Sequence, residues 1–172
     1  MRVLHVGCGG ERFAKPHDIF GPEFDEVTLD ADPQHGPDYV ALMTAMGEIG
    51  MFGATYCSHA LEHIYPHEVP VALAEFLRVL EPGGCSIFFV PDLEGVPPTT
   101  DKLYDSPSGP ICGLDLFYGH SRLIPASPFM AHHCGFVAGT LRDVMEGAGY
   151  VGVEVTRLPD FNLMAVGRKD GK

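Results

Sequence analysis

Basic residues are scarce in this sequence. Its 172 residues include 11 Lys or Arg and 23 Asp or Glu, so the formal net charge is -12 with the histidines neutral. Proteins that bind nucleic acid or anionic membranes neutralise several phosphates with clustered Lys and Arg side chains. The charge balance argues against both classes, and we expect no nucleic acid and no membrane among the partners.

Long apolar runs and paired cysteine motifs are also lacking. No apolar run approaches the ~18 residues that a membrane span needs, and the N-terminal MRVLHVGCGG reaches glycine before a signal-peptide core could form. The five cysteines are odd in number and contain no C-x-x-C pair, which favours reduced thiols over a disulfide framework or a zinc knuckle. We therefore expect a cytoplasmic protein.

The patterns that are present fit one domain over residues 1–172. Apolar residues at helical spacing predict a helix near 69–80, with Pro66 and Pro70 at its start, and another near 141–148. Short apolar runs predict seven buried strands. They lie at 3–6, 27–29, 39–41, 54–57, 86–90, 151–155 and 163–166. This alternation predicts an α/β fold with a mostly parallel sheet and an antiparallel last strand.

The segment at about 92–136 has no such periodicity. Proline, glycine, serine and aspartate interrupt its short apolar stretches. A connection of this length in a compact domain is usually functional or disordered. Its aromatic residues favour an ordered lid, with one or two short helices, over a linker. We interpret it as a substrate-lid insertion.

A glycine loop follows the first predicted strand. Gly7, Gly9 and Gly10 allow a backbone to approach a ligand closely. Asp30 ends the second predicted strand, where a carboxylate can accept hydrogen bonds from both ribose hydroxyls. Arg12 stands where a dinucleotide fingerprint has Gly or Ala. The pattern indicates a cofactor that contains a nucleoside; ordinary strand-end glycines beside a solvated aspartate are the alternative.

Four segments, in order, resemble the class I S-adenosylmethionine-dependent methyltransferases. They are VLHVGCGG, VTLDADP, YCSHALEHI and FLRVLEPGG. Within that family the chain is most similar to small predicted methyltransferases with a truncated first helix. The resemblance implies a Rossmann-like three-layer sandwich whose seven-stranded sheet has the order 3-2-1-4-5-7-6. It also implies S-adenosylmethionine as the cofactor.

The resemblance also implies which residues bind the cofactor. The glycine loop would follow its methionine and ribose, Asp30 would bind the ribose hydroxyls, and the adenine would lie near the second and third strands. The full set is Gly7, Cys8, Gly9, Asp30, Ala31, Met43 through its backbone N–H, and Ser58 and His59 under the methionyl end.

Some positions depart from the family pattern. Residues 41–43 lack the acidic residue that often accepts from the adenine amino group, and residues 53–54 lack the Asp that often begins strand four. Adenine recognition would then depend on apolar packing and backbone contacts. Pro16 and Pro22 argue against a long first helix between 11 and 24.

The sequence HALEH at 59–63 also matches H-x-x-E-H, an inverted zinc-protease signature. That chemistry needs His59 and His63 on one helical face, together with a further acidic ligand. Pro66 leaves scarcely one turn for such a helix. We therefore expect no metal site, and we interpret Glu62 and His63 as part of a turn that stabilises the loop after strand four.

Methyl transfer from a sulfonium is an in-line displacement, so the protein mainly has to position the acceptor. A hydroxyl or protonated amine acceptor also needs a base, and histidine titrates near neutral pH. A structural role is the alternative for each candidate. The candidate catalytic residues are His59, His63, His120 and His132, with His133 and Asp92 as further possibilities.

These patterns and the resemblance predict an S-adenosylmethionine-dependent methyltransferase that acts on a small molecule or on a small group of a larger acceptor. The alternative is a non-catalytic S-adenosylmethionine-binding or partner subunit with the same fold. A nicotinamide-dependent oxidoreductase and a zinc hydrolase rank below both. A short lid favours a small acceptor, or a second copy of the chain, a homo-oligomer, that completes the site.

Overall fold

The computed structural model describes residues 1–10, 19–21 and 23–172. The truncated first helix, expected between 11 and 24, falls largely on residues 11–18 and 22, which lie outside the described residues. Within the described part of the chain, no helix has the length and apolar character to cross a membrane.

The elements follow the predicted alternation of strands and helices. The nine strands of the described chain are β1 (Arg2–Val6), β2 (Asp25–Asp30), β3 (Tyr39–Val40), β4 (Phe52–Ser58), β5 (Leu80–Pro91), β6 (Lys102–Ser106), β7 (Gly109–Cys112), β8 (Val151–Leu158) and β9 (Asn162–Arg168). The longer helices are α1 (Val69–Val79), α2 (Gly113–Tyr118) and α3 (Ala138–Ala148), and short 3-10 turns lie at Pro33–His35, Leu61–His63 and Pro128–Met130.

Seven of these strands form one sheet in the order β3-β2-β1-β4-β5-β9-β8. Strand β1 pairs in parallel with β2 and β4, and β4 pairs in parallel with β5. Strand β9 is antiparallel to both of its neighbours. Because β6 and β7 form a separate hairpin, the seven strands have the order 3-2-1-4-5-7-6 when numbered among themselves. The predicted Rossmann-like topology is confirmed, and the carboxyl ends of β1, β2, β4 and β5 meet at one edge.

The sheet is covered on both faces by apolar side chains. One face packs against α1 and α3, where Phe76 and Leu141 are fully buried. Pro70 lies in the first turn of α1, as its spacing predicts, because proline lacks only an N–H that is unpaired there. On the other face, Tyr56 and Ile87 pack with Phe20 among others. The core therefore lies on two sides of the central strands and holds them rigid.

Residues 92–136 leave the sheet and return to it at adjacent points. Asp92 and Phe136 form an isolated parallel bridge, and the Leu93 N–H donates to the Phe136 carbonyl at 2.9 Å. Between them, β6, β7 and α2 enclose a small core of their own with Val96, Ile111 and Leu116. Helix α2 matches the expectation of a short helix. The β6–β7 hairpin does not follow from periodicity, although S-P-S-G at 106–109 is a turn signal.

Three buried hydroxyl groups link β4, β5 and the segment before β8. The Thr55 hydroxyl donates to Ser86 Oγ at 2.7 Å, and Ser86 Oγ lies 2.7 Å from the Tyr150 hydroxyl. Burial raises the pKa of Tyr150 above its usual range. The Ser86 hydroxyl is shared by both hydrogen bonds, so the other two side chains depend on it.

We expect Ser86→Ala to destabilise the fold more than Tyr150→Phe. The first change deprives two buried hydroxyls of their partner and should lower the free energy of unfolding by about 2 to 4 kcal/mol, whereas the second removes one hydrogen bond and should cost about 1 kcal/mol. Urea denaturation of the purified variants measures both. Tyr118→Phe is the matched control, because Tyr118 is largely exposed. Equal losses for Ser86→Ala and Tyr150→Phe would contradict the shared role of Ser86.

Candidate functional site

The glycine loop begins where β1 ends. Gly7 has φ +67°, and its N–H donates to the Leu29 carbonyl at 2.8 Å. A Cβ at Gly7 would overlap the Cβ of Ala60, in the turn after β4. Glycine is therefore required here by packing as well as by backbone conformation. Cys8, which follows, is buried.

Gly9 and Asp30 form the part of the loop that is open to a ligand. Gly9 has φ +57°, and no described atom lies within 4 Å of where its Cβ would be. Its N–H donates to Asp30 Oδ2 at 2.9 Å, and the Asp32 N–H donates to Asp30 Oδ1 at 2.8 Å. A carboxylate has about four acceptor positions. Asp30 is partly exposed, so it retains positions that ribose hydroxyls could use.

The residues expected near the adenine lie beside this loop. Ala31 directly follows β2 and is partly exposed. Met43 follows β3 in the turn bridged by Leu42 and Ala45, and it packs against the edge of the main core. Ala31 and Met43 thus follow the ends of β2 and β3, where Asp30 pairs with Val40.

Strand β4 ends at Ser58, and His59 begins a sharp turn. His59 has φ +51°, in the left-handed region that a side chain rarely adopts. Its N–H donates to the Phe89 carbonyl of β5 at 2.8 Å, which holds the strained backbone in place. Such strain persists where surrounding contacts enforce it, and it often occurs at functional sites.

A cavity of about 430 Å³ opens beside His59. It lies at the carboxyl ends of β4 and β5, next to the turn between β8 and β9. Its size falls within the range of small-molecule sites, and its lining combines aromatic surface with a few polar groups. The lining includes Tyr56, Ser58, His59, Phe89, Asp160 and Asn162.

Asp160 and Asn162 were not expected from the sequence. They belong to the β8–β9 turn, in which Asp160 and Phe161 have φ of +58° and +54°. The Asn162 side-chain amide donates to the carbonyls of Pro159 and Asp160 at 3.1 and 3.0 Å. Proline followed by aspartate signals a turn. The antiparallel pairing of β9 with β5 brings this turn to the carboxyl ends of β4 and β5.

His63 and His132, two of the candidate catalytic residues, lie together around Glu62. The ring centroids of His63 and His132 are 4.8 Å apart. Glu62 is 1% exposed. His59 Nδ1 lies 3.5 Å from Glu62 Oε1 and thereby links this group to the cavity.

Three further candidates lie elsewhere. His120 is buried against the β6–β7 hairpin and donates from Nε2 to the Ser108 carbonyl at 3.2 Å. Asp92 is also buried, and its Oδ2 lies 3.4 Å from Arg157 Nε. Neither residue is among the described residues that line the cavity. His133 is exposed and stacks on Tyr65.

Glu62 is held ionised by its neighbours. Burial raises its pKa, but the contact with His59 and the positive charge of His63, His59 and His132 outweigh burial and lower the pKa to about 2. Burial lowers the pKa of His132, which favours its neutral form, although the charge of Glu62 opposes this. The thiol of Cys134 has a raised pKa of about 12, through burial and then the charge of Glu62, so it is a poor nucleophile.

Comparison with known proteins places this site in context. Residues 4–88 match the family model of a methyltransferase domain, and this range includes the end of β1, the glycine loop, Asp30 and the turn after β4. None of the curated proteins compared with the sequence matches it.

Several solved structures share the fold. An S-adenosylmethionine-dependent methyltransferase from Mesorhizobium loti aligns over 98% of this chain and 90% of its own, with 17% identity and a TM-score of 0.65. An O-methyltransferase family protein from Burkholderia thailandensis aligns over 98% and 51%, with 11% identity and a TM-score of 0.65. Human N-acetylserotonin methyltransferase in complex with S-adenosylmethionine aligns over 98% and 47%, with 10% identity and a TM-score of 0.65. The chain spans about half the length of the last two proteins.

Two glycine substitutions test the geometry of the loop. Gly7→Ala combines left-handed strain with the overlap at Ala60 and should lower the free energy of unfolding by about 2 to 5 kcal/mol. Gly9→Ala has the same strain without an overlap and should cost about 1 to 2 kcal/mol. Chemical denaturation measures the difference. Similar losses in the two variants would mean that the Gly7–Ala60 contact does not constrain the loop.

Proposed function

We propose that the chain transfers a methyl group from S-adenosylmethionine to a small-molecule acceptor, because residues 4–88 match the family model of a methyltransferase domain and the fold is that of an S-adenosylmethionine-dependent methyltransferase. One observation supports this most directly. The carboxylate of Asp30, the open backbone at Gly9 and the cavity beside His59 occupy the same edge of the sheet. A nucleoside-containing methyl donor and an acceptor can thus lie side by side there.

The residues at the glycine loop fit the cofactor. Asp30 would accept from the ribose hydroxyls, and the backbone of Gly7, Cys8 and Gly9 would follow the rest of the molecule. Ala31 and the Met43 backbone N–H would meet the adenine. Ser58 and His59 would meet the methionyl end. When bound, S-adenosylmethionine supplies a methyl group on a positively charged sulfur, which keeps the electron pair of the broken bond.

The cavity fits a small acceptor with an apolar body and a polar group. Tyr56 and Phe89 offer aromatic surface, while Asp160 and Asn162 offer polar atoms. His59 is our candidate to accept the proton of a hydroxyl or amine acceptor, because its imidazole lines the cavity and is 41% exposed. His63, His120 and His132 remain candidates that would need to act from outside the cavity lining.

Ligand-dependent unfolding tests the cofactor. S-adenosylhomocysteine should raise the unfolding temperature, since a ligand at 100 times its Kd adds about 2.7 kcal/mol to the stability of the folded state. Differential scanning calorimetry with ligand up to millimolar concentration measures this shift. NAD at the same concentration is the control, and a shift with NAD but not with S-adenosylhomocysteine would refute the assignment.

Turnover separates the enzyme from a non-catalytic subunit. Release of S-adenosylhomocysteine with a panel of hydroxyl, amine and thiol acceptors would establish the activity. Binding without turnover across a broad panel would favour the alternative of a cofactor-binding subunit. His59→Ala should lower kcat, and the S-adenosylhomocysteine affinity of the same variant, measured by calorimetry, separates a loss of the base from a loss of the contact with the methionyl end.

Asp30→Asn tests the ribose contact. Loss of a charged hydrogen-bond acceptor costs about 1.5 to 3 kcal/mol, so S-adenosylhomocysteine affinity should fall roughly 10- to 150-fold in titration calorimetry. Asp32→Asn is the matched control, because the Asp32 side chain accepts from the Gln34 N–H and caps a 3-10 turn. A larger loss in Asp32→Asn than in Asp30→Asn would transfer the ribose contact to Asp32.

A further inference from the structure

Three potential metal ligands converge where the segment 92–136 returns to the sheet. Glu62 and His63 belong to the 3-10 turn after β4, and His132 belongs to the returning segment. We call them the Glu62–His63–His132 cluster. Each residue offers one ligand atom, and these atoms all lie within 4.8 Å of one another. The cluster joins two parts of the chain that are far apart in sequence.

Both histidines present a free ring nitrogen. His63 Nδ1 lies 3.0 Å from the Ala131 carbonyl, and His132 Nδ1 lies 2.9 Å from the Leu116 carbonyl. A carbonyl oxygen can only accept, so each Nδ1 carries the proton and donates it. In the neutral ring, Nε2 then keeps its lone pair. Histidines that bind metals are commonly fixed in this way, with the other ring nitrogen bonded to a backbone carbonyl.

No described residue donates a hydrogen bond to the carboxylate of Glu62. Neither Oε1 nor Oε2 has a hydrogen-bond partner among the described residues, and both oxygens are buried. His132 Nε2 lies 4.0 Å from Oε1, and His59 Nδ1 lies 3.5 Å from it, both too far for a good hydrogen bond. A buried carboxylate without a partner is costly. If both rings are neutral, their lone pairs and the carboxylate repel one another unless a cation lies between them; a proton on either ring is the alternative, and it would make the cluster an ion pair.

We propose that Glu62, His63 and His132 bind a divalent transition metal ion, with zinc as the ion that best fits this ligand set. Two imidazoles and one carboxylate with an open position form a common catalytic zinc site and also suit ferrous iron. Ligand atoms about 2.1 Å from a tetrahedral ion lie roughly 3.4 Å apart. The ligand atoms lie within 4.8 Å of one another, so the most distant pair needs to close by up to about 1.4 Å to bind such an ion.

The ligand set differs from the one that H-x-x-E-H suggests. That motif needs His59 and His63 on one helical face, whereas residues 61–63 form a single 3-10 turn. The structure instead brings His132 to His63. The expectation of no metal site considered only the His59–His63 pair, because spacing along the chain cannot show that His132 folds back onto Glu62.

Backbone contacts support the same junction. The carbonyl of Glu62 accepts from the N–H groups of His133 and Cys134 at 2.9 and 3.2 Å. A metal ion at the cluster would add a second attachment between the turn after β4 and the returning segment. The metal site does not depend on methyl transfer, because metal binding can be measured without a cofactor or a methyl acceptor.

Metal binding to the chelator-treated protein tests the proposal directly. Titration calorimetry with Zn²⁺ should give a stoichiometry near one, and Co²⁺ should give visible absorption typical of a nitrogen and oxygen ligand set. Glu62→Gln and His132→Ala should each weaken Zn²⁺ affinity at least tenfold. His133→Ala is the matched control, because His133 neighbours His132 in sequence but stacks on Tyr65 instead, and its affinity should not change.

Three results would overturn the metal site. They are no saturable binding by the wild-type protein, equal affinity in wild type and Glu62→Gln, or a thiolate-to-cobalt charge-transfer band, which would assign the ion to a cysteine such as Cys134. Thermal unfolding without metal checks that each variant folds. If Glu62→Gln does not fold, His132→Ala decides the question by the same titration. Without saturable binding, the cluster is an internal ion pair.

Discussion

The glycine loop and the turn after β4 are held together at one point, where Gly7 leaves no room for a side chain beside Ala60. This contact fixes the distance between the ends of β1 and β4. Ser58 and His59 precede Ala60 and Glu62 follows it, so its position sets the backbone from which these groups project. The strained φ of His59 persists because the Gly7–Ala60 packing and the hydrogen bond to Phe89 hold the backbone on both sides.

The sheet and the glycine loop could be predicted from the sequence because their signals are local. Short apolar runs predict strands 1, 2 and 4; the first run leads into glycine at Gly7, and the second leads into Asp30. The hairpin in 92–136 was not predicted, since its strands alternate weakly and pack on a small core of their own. The Asp160–Asn162 turn and His132 reach the site through tertiary contacts between distant segments. Such contacts leave no periodic pattern in the chain.

The two ligands that we propose, S-adenosylmethionine and a divalent metal ion, both have a positively charged centre. A sulfonium cofactor is positively charged at the reacting sulfur, and a divalent ion carries two positive charges. A chain with a formal net charge of -12 attracts cations and repels anions. The buried carboxylate of Glu62 and the partly exposed carboxylate of Asp30 lie at the same edge of the sheet. Because basic residues are scarce in the chain, the overall negative charge favours binding of positively charged ligands at this edge.

The bridge between Asp92 and Phe136 has a consequence for how this fold can change. The segment leaves the sheet and returns to it at neighbouring backbone positions, so the strands on either side do not depend on its length. Doubling a flexible connection between fixed ends costs only about 0.6 kcal/mol in closure entropy. A shorter, longer or differently folded segment could therefore be exchanged between the same two attachment points. Related proteins could then differ in this segment while the sheet and the glycine loop stay unaltered.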